Sequence, residues 1–217
     1  MRRLGVVLSF AAVIVSAGCG GSRSPERTST ITVFRLQAGL LHAERAEVPA
    51  ERSTPAAALG ALGLDVPVKV VDGTARVAVA RLAPERIAEV VYTLTRLPAI
   101  RRVDVAGRRA LRRADVVAYV PPILLESPAD GQQVPASFTV SGTASVFEAT
   151  LVIELRRGVA LLERRTVTAA AGAPSRGAFS TTLRAPSPGP ATVVAFAPNA
   201  ANGAPQHVQR VPVTVAG

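Results

Sequence analysis

The chain contains a single cysteine, Cys19, and this limits the folds that it can adopt. One thiol cannot form an intrachain disulfide, and it cannot supply the cysteine cluster of a structural zinc site. Any folded part of the 217-residue chain must therefore be stabilised by its own apolar core. A chain of this length is sufficient for one large domain or two small ones.

The first 18 residues have the features of a secretory signal peptide. Arg2 and Arg3 precede an apolar run over residues 4–15, and the small residues 16–18 follow it. The apolar run has about a dozen residues, whereas a membrane-spanning helix needs roughly 20. The pattern predicts export with cleavage before Cys19, and it argues against a permanent transmembrane segment.

The position of Cys19, directly after these small residues, resembles the lipobox of bacterial lipoproteins. In that family the cysteine sulfur receives a diacylglycerol, and the new amino terminus is acylated. The resemblance implies lipidation of Cys19, with each buried methylene adding about 0.8 kcal/mol of membrane affinity. A lipobox usually has Leu, Val or Ile three residues before the cysteine, and this chain has Ser16 there. The alternative is an ordinary signal peptide that leaves Cys19 as a free thiol.

The composition excludes some classes of partner. The formal net charge is +10, and arginine supplies nearly all of the positive charge, since Lys69 is the only lysine. Arginine and alanine enrichment is also typical of GC-rich coding, so the charge alone does not specify a function. The chain has no tryptophan and only eight Phe and Tyr residues. Aromatic platforms for single-stranded nucleic acid are therefore not expected, and we predict no nucleic-acid partner.

Two sequence breaks divide the exported part of the chain. Residues 19–30 form a polar segment rich in Gly and Ser, which we interpret as a lipidated tether. Pro121-Pro122 cannot continue a strand ladder, because neither proline donates an N–H group. We therefore predict a first domain over residues 31–120 and a second over residues 121–217.

The first domain is predicted to mix strands and helices. A helix over residues 56–62 follows a Ser53-Thr54-Pro55 start signal. A second helix starts at Pro84 and ends at Pro98, because its apolar residues recur at helical spacing. Asp72-Gly73 predicts a tight hairpin turn. The predicted strands cover residues 31–36, 40–48, 68–71, 76–80, 103–107 and 116–120.

The second domain is predicted to be an all-β sandwich. Short runs of β-branched residues alternate with turn residues, as in immunoglobulin-like sandwiches. The absence of a cysteine pair and of tryptophan excludes the antibody type. The seven predicted strands lie near residues 123–126, 138–141, 149–156, 161–168, 178–183, 192–196 and 208–215.

Residues 31–120 resemble the GerMN, or sporulation and spore germination, domain. The most specific part is the Thr93-Leu94-Thr95-Arg96-Leu97-Pro98 segment, followed by the strand that reaches Gly107. Further matching positions are residues 32–35, Leu41, the 56–62 helix and residues 73–77. The family usually has Tyr where Phe34 stands, and it has a longer loop before the hairpin. The resemblance implies an α+β domain.

The second region resembles the immunoglobulin-like domain of bacterial spore germination proteins. The matching residues include Ser127-Pro128, residues 140–142, residues 147–149, residues 177–179 and Asn202-Gly203. Together the two resemblances imply an α+β GerMN-like domain followed by an immunoglobulin-like sandwich. They imply an exported envelope protein, often lipidated, without defining a ligand or a reaction.

The sequence contains no recognisable catalytic or metal-binding motif, and we predict neither catalysis nor a cofactor. His42 and His207 are the only histidines, and we expect both to be exposed. Glu85 is expected to interact favourably with the dipole of its helix. Glu148 follows a residue that we expect to be a core aromatic, Phe147, and is interpreted as a loop cap, with a ligand contact as the alternative. No metal site is expected.

One stretch is strongly basic and is the candidate binding site. Clustered arginine can hold the phosphates of lipid headgroups or wall polymers through bidentate contacts. A solvated turn between two strands is the alternative interpretation. The patch consists of Arg101, Arg102, Arg108, Arg109, Arg112 and Arg113, with Asp104 as the only acid among them.

These observations predict a non-catalytic, lipid-anchored protein outside the cytoplasm that binds or organises components of the cell envelope. Its expected partners are the membrane, through the anchor, and an envelope protein or anionic wall polymer. The resemblances add a link to sporulation or spore germination. An accessory or cryptic cell-wall enzyme is one alternative, and a cleft with carboxylates converging from both domains would favour it. A small-ligand-binding lipoprotein is another, and it requires a concave apolar pocket.

Overall fold

The computed structural model describes residues 28–50 and 54–217. The predicted signal peptide and Cys19 lie outside these residues, as does Ser53. Residues 28–30, which we assigned to the tether, instead form the start of the first strand. No helix in the described part of the chain is long and apolar enough to cross a bilayer.

The N-terminal region begins with a long hairpin. Strand β1 (Thr28–Gln37) pairs antiparallel with β2 (Leu40–Pro49). Ala38 and Gly39 connect them with φ angles of 49° and 81°. Two consecutive positive φ angles match the twist of paired strands, so the turn is short. The helices α1 (Thr54–Ala61) and α2 (Pro84–Thr95) follow in the chain.

A second sheet of four strands completes this region. It contains β3 (Val68–Val71), β4 (Thr74–Val77), β5 (Arg102–Val105) and β6 (Arg108–Leu111), in that order. The central pair, β4 and β5, is parallel, and both outer pairs are antiparallel. The predicted hairpin through Asp72-Gly73 is present. The β6 strand was not predicted, because its sequence RRAL has no apolar alternation.

The strand predicted over residues 116–120 is wrong, since Arg113–Tyr119 forms a 3₁₀ helix. Asp115 starts this turn by accepting a hydrogen bond from the Arg112 N–H at 2.7 Å. The run of Val116, Val117 and Ala118 is apolar enough to predict a strand. However, Val117 and Ala118 are both exposed while Val116 and Val120 are buried, so the burial follows a helical turn rather than a pleat.

Helix α2 provides the centre of the N-terminal core. Its apolar stripe is buried at Ile87, Val90, Val91 and Leu94, as the spacing predicted. Glu85 lies in its first turn, as predicted. Tyr92 packs edge-on against Phe34 of β1, with 5.4 Å between the ring centroids.

Helix α2 also satisfies two N–H groups on the edge of β1 that does not pair with β2. The Phe34 N–H donates to Thr93 Oγ1 at 2.9 Å, and the Leu36 N–H donates to Glu89 Oε1 at 2.9 Å. Thr93 and Glu89 are one helical turn apart on α2, and Phe34 and Leu36 are two residues apart on β1, so the spacing of the acceptors matches that of the donors. This arrangement explains why a carboxylate and a hydroxyl are buried in α2.

The C-terminal region is a sandwich of two sheets. One sheet has the strand order β11-β10-β13-β14-β8, and the other has the order β12-β9-β7. Every pair is antiparallel except β14 with β8. A 3₁₀ turn, Phe147–Ala149, precedes β10. The strands are β7 (Ile123–Ser127), β8 (Gln132–Val134), β9 (Ser137–Ala144), β10 (Thr150–Arg157), β11 (Ala160–Thr168), β12 (Gly177–Arg184), β13 (Gly189–Pro198) and β14 (Pro205–Val215).

All seven strands predicted for the sandwich are present, with ends shifted by a few residues. The unpredicted strand, β8, is short and polar. The core between the sheets is mostly aliphatic, with Leu151, Ile153, Leu155 and Leu183 fully buried. Gly142 is required where β9 pairs with β7, because a Cβ there would lie 2.0 Å from the Leu124 carbonyl oxygen.

The two regions share strand β7. Ile123 and Leu125 belong to the sandwich core, whereas Leu124 belongs to the core of the N-terminal region. Successive residues of a strand point to opposite faces, so one strand contributes to both cores. Pro121-Pro122 precedes this shared strand. The two regions are therefore packed against each other through β7 and are not joined by a linker alone.

Candidate anion-binding surface

The structure divides the six predicted arginines into three groups according to their position in the four-stranded sheet. Arg101, Arg102 and Arg112 lie near the β3–β4 turn. Arg108 and Arg109 lie at the opposite end of the strands. Arg113 points away from both groups toward the sandwich.

The first group lines a concavity of about 290 Å³, which we call the Gly73 pocket. Its lining residues are Asp72, Gly73, Arg101, Arg102 and Arg112. Gly73 has a φ of 74°, and a Cβ there would lie 3.3 Å from Arg101 Nε. The Gly73 carbonyl accepts hydrogen bonds from the Arg101 and Arg102 N–H groups, at 2.8 and 3.2 Å. The turn therefore fixes the backbone from which both arginines extend.

The second group lines a larger concavity of about 580 Å³, which we call the Gly107 pocket. Its charged lining residues are Lys69, Arg76, Asp104, Arg108 and Arg109. Lys69 pairs with Arg76, and Arg76 pairs with Asp104, across β3, β4 and β5. Directly paired residues share a face of a sheet, so these three side chains lie together on the outer face.

The only acid of the stretch, Asp104, is already engaged. Its Oδ1 accepts a hydrogen bond from the Ala110 N–H at 2.8 Å, and its Oδ2 lies 3.8 Å from Arg76 Nε. Asp104 thus stabilises the irregular backbone of β6, in which Ala110 has a φ of 52°. Its carboxylate balances one neighbouring cation.

The remaining arginines of the two pockets are exposed and unpaired. In residues 28–50 and 54–217, the structure places no carboxylate within ion-pair distance of Arg101, Arg102, Arg108, Arg109 or Arg112. Their guanidinium groups are therefore available to an external anion.

Arg113 is bound by groups inside the protein and does not belong to this surface. Its Nη1 donates to Glu126 Oε1 at 2.8 Å, and its Nε donates to Thr95 Oγ1 at 3.0 Å. The guanidinium carbon also lies 4.7 Å from the centroid of the Tyr92 ring. Its inclusion in the anion-binding patch was an effect of sequence adjacency alone.

Glu126 of β7 joins the two regions by accepting from both sides of its carboxylate. Its other oxygen, Oε2, lies 3.3 Å from Arg96 Nη1. Burial raises the pKa of nearby Tyr92 above its ordinary value, although the charge of Arg113 opposes this shift. Burial lowers the pKa of Arg176, which donates to the Pro121 carbonyl at 2.7 Å. At this junction Arg96, Arg113 and Arg176 bind acceptors of strand β7 or of the segment before it, although Arg176 Nε is buried without a hydrogen-bond partner.

The structure also shows the environments of four other residues for which the sequence led to expectations. His42 is mostly buried rather than exposed, with Nε2 3.5 Å from Asp130 Oδ2. His207 is exposed, as expected. Phe147 is not a core aromatic, because 69 % of it is exposed. Glu148 is also exposed, with a φ of 52°.

The described residues bring no three His, Cys, Asp or Glu side chains together in a way that would hold a metal ion. The charged side chains that line the surface are mainly arginines. It presents two basic pockets on one sheet face.

The C-terminal region of the chain matches a known protein family. Residues 122–204 match the family of the immunoglobulin-like domain of bacterial spore germination. The match starts at the proline before β7 and ends after β13, so it covers the sandwich without β14. It links this region with spore germination. The similarity of residues 31–120 to the GerMN domain stays a prediction.

Three solved structures that align with part of the chain have TM-scores of 0.34 or less. An engineered protein aligns over 62 % of this chain with a TM-score of 0.34 and 15 % identity, and the chain spans 36 % of that protein. Fibronectin(III)-like modules of CbhA from Clostridium thermocellum align over 43 % of this chain and 93 % of their own length, with a TM-score of 0.29 and 18 % identity. CopC from Methylosinus trichosporium OB3b aligns over 43 % of this chain and 92 % of its own, with a TM-score of 0.29 and 22 % identity. No curated protein matches the chain.

Proposed function

We propose that this chain is a non-catalytic, lipid-anchored protein of the bacterial cell envelope that binds an anionic envelope component. The observation that carries the binding role is the set of five exposed, unpaired arginines around two pockets of one sheet. The exported, lipid-anchored location rests on the N-terminal sequence pattern and on Cys19.

The link with spore germination rests on the family match of residues 122–204. A GerMN-like N-terminal region is part of the same proposal, because such domains and this immunoglobulin-like domain often occur together. In this arrangement the sandwich is a support, and the four-stranded sheet presents the binding surface.

The geometry at the junction favours a binding protein over a wall-acting enzyme. A hydrolase of the carboxylate type needs one acid that can give a proton and one that can act as a base. Glu126, which lies between the two regions, instead accepts from Arg96 and Arg113 with its two oxygens. Both oxygens are therefore engaged in holding the regions together.

The shape of the surface also favours an anion over a small apolar ligand. Receptor pockets for small molecules are lined mainly by apolar side chains with a few polar groups. The Gly73 pocket is lined by three arginines, an aspartate and a glycine.

The anchor is tested by expressing the full chain in a bacterium beside its Cys19→Ala variant. We expect the wild type to fractionate with membranes and to gain acyl mass, and the variant to lose both properties. A Ser16→Leu variant restores the usual lipobox residue and serves as the matched control for processing. If the wild type and Cys19→Ala fractionate identically as soluble protein, the anchored location is wrong.

A further inference from the structure

We infer that the basic face of the four-stranded sheet binds a linear polymer with repeated phosphodiester groups, which lies across the sheet and occupies both pockets at once. This inference rests on the proposed anion-binding role and specifies its ligand class. It makes the two pockets parts of one extended site.

The strand topology places the pockets at opposite ends of the same strands. The Gly73 pocket contains the β3–β4 turn and Arg102, where the parallel strands β4 and β5 begin. The Gly107 pocket contains Val77 and Val105, where the same two strands end. The first and last residues of β5, Arg102 and Val105, are three residues apart, so the two ends of the strand lie about 10 Å apart, at roughly 3.3 Å per residue. A single phosphate group is smaller than this distance, whereas a chain of linked phosphates can follow it from one pocket to the other.

The part of the Gly107 pocket that lies nearest the Gly73 pocket is suited to the middle of such a chain. Lys69 and Arg76 lie on the outer face there and continue the positive charge. Asp104 lies beside them, with its carboxylate held by the Ala110 N–H and facing Arg76. A polymer whose charges are spaced by neutral, hydroxyl-bearing linkers can pass a single engaged carboxylate, whereas a uniformly dense polyanion meets repulsion there.

The chemistry of the pockets favours phosphate over carboxylate. A guanidinium binds two oxygens in its plane, and both anions satisfy that requirement. The Gly73 pocket, however, is lined by three arginines around one concavity. In a phosphodiester, two non-bridging oxygens carry the charge, the two ester oxygens can also accept hydrogen bonds, and the four point in tetrahedral directions, whereas the two oxygens of a carboxylate lie in one plane. Phosphate therefore uses more of these donors.

Two linked contacts make the expected affinity depend on polymer length. Once a chain is long enough to occupy both pockets, the second contact becomes intramolecular, which raises affinity by about 10²-fold over a single contact. A chain that fills only one pocket gains nothing from further charge beyond it.

The test uses the full chain, purified in a non-ionic detergent, and isothermal titration calorimetry. The probes are synthetic glycerol phosphate oligomers joined by phosphodiester bonds, from a single unit to chains longer than the separation of the pockets. We expect weak binding of the single unit and an increase of about 10²-fold once the oligomer spans both pockets, followed by a plateau.

Two double variants separate the pockets. Arg101→Gln with Arg112→Gln removes charge from the Gly73 pocket, and Arg108→Gln with Arg109→Gln removes it from the Gly107 pocket. Either pair should reduce long-chain affinity to nearly that of a single unit. The matched control, Arg184→Gln with Arg210→Gln, removes the same charge from exposed sandwich positions. It should change affinity by no more than about twofold, because distant exposed charges are screened.

Three outcomes would overturn the inference. Affinity per phosphate that does not depend on chain length would show two unlinked sites. Equal binding of polyglutamate of matched charge would show that charge alone is recognised. Tighter binding to phosphatidylglycerol vesicles than to any oligomer, abolished by both double variants, would assign the surface to the membrane. The fractionation of Cys19→Ala is independent of these results, so failure of the anchor and failure of the polymer site can be distinguished.

Discussion

The outer faces of the two largest sheets use arginine in opposite ways. On the sandwich, Arg156 and Arg164 lie against Glu154, which is only 3 % exposed, at 2.6 and 3.5 Å. Arg164 also lies over the ring of Phe196, with 5.9 Å to its centroid. On the four-stranded sheet, Arg108 and Arg109 have neither a buried carboxylate nor an aromatic ring among the described contacts.

The difference shows that arginine content does not identify a binding surface. In the sandwich, long arginine stems cover a small apolar cluster of Val152, Val194 and Phe196, and the buried carboxylate neutralises the heads. Those arginines contribute to the fold. The arginines of the two pockets cover no comparable cluster, so the fold does not require their charge. The pairing of each guanidinium, rather than its presence, separates the two roles.

The largest expected effect is at the junction, where one buried carboxylate pairs with two partly buried arginines. Replacing Glu126 with Ala leaves Arg113 and Arg96 without their carboxylate and should lower the free energy of unfolding by about 3 kcal/mol. Urea denaturation followed by circular dichroism measures the change. Glu126→Gln, which keeps the shape and one acceptor, should cost less. A loss below about 1 kcal/mol for Glu126→Ala would mean that the junction network is not stabilising.

A smaller effect is expected for the carboxylate of the sandwich. Glu154→Ala should lower the free energy of unfolding by about 2 kcal/mol, because it removes charge-assisted hydrogen bonds to half-exposed arginines that can then reach water. The exposed Glu148→Ala is the matched control and should change stability by less than about 0.5 kcal/mol. Equal effects of the two variants would remove the distinction drawn between paired and unpaired charges.

The junction also predicts a titration. Burial raises the pKa of Tyr92, so in a Tyr119→Phe variant the remaining tyrosinate absorbance should appear with a midpoint above 10.0. Because the neutral phenol is favoured in the folded state, the contribution of Tyr92 to stability is complete below pH 10.0 and is lost as pH rises through its folded-state pKa. The midpoint should fall toward 10.0 in denaturant. An unchanged midpoint on unfolding would contradict the burial of the phenol.

The smallest effect is expected on the proposed binding surface. Arg108→Gln with Arg109→Gln should change the free energy of unfolding by less than about 0.5 kcal/mol, because both side chains are exposed and unpaired. Any change should be a slight stabilisation at low salt, since neighbouring like charges repel. Thermal unfolding at two salt concentrations measures it. A loss of more than about 1 kcal/mol would place these arginines with the structural ones of the sandwich.

The parts of the fold that the sequence predicted are those with strong local signals. The apolar stripe of α2 and the Asp72-Gly73 turn need only a few neighbouring residues to be recognised, and both are present. Strands β6 and β8 lack such signals, because they are short and held mainly by their pairing with β5 and β14. Their formation depends on partners that are not adjacent in sequence.

The candidate site was predictable in position but not in membership. Arg112 and Arg113 are neighbours in sequence, yet Arg112 lines the Gly73 pocket whereas Arg113 pairs with Glu126. Arg113 turns inward because Thr95 and Glu126 provide acceptors, and both come from other elements. His42 was misjudged for the same reason, since Asp130 of the sandwich side approaches it only in the folded chain.

The hydrogen bonds from β1 to α2 have a consequence for self-association. A strand with a free row of N–H groups is a template on which a second molecule can add a strand. On β1, the N–H groups of Phe34 and Leu36 are occupied by Thr93 and Glu89, and helix α2 covers that edge. A second chain must first detach α2 before it can pair there. Contact between two molecules therefore does not by itself allow strand addition along residues 34–36 of β1.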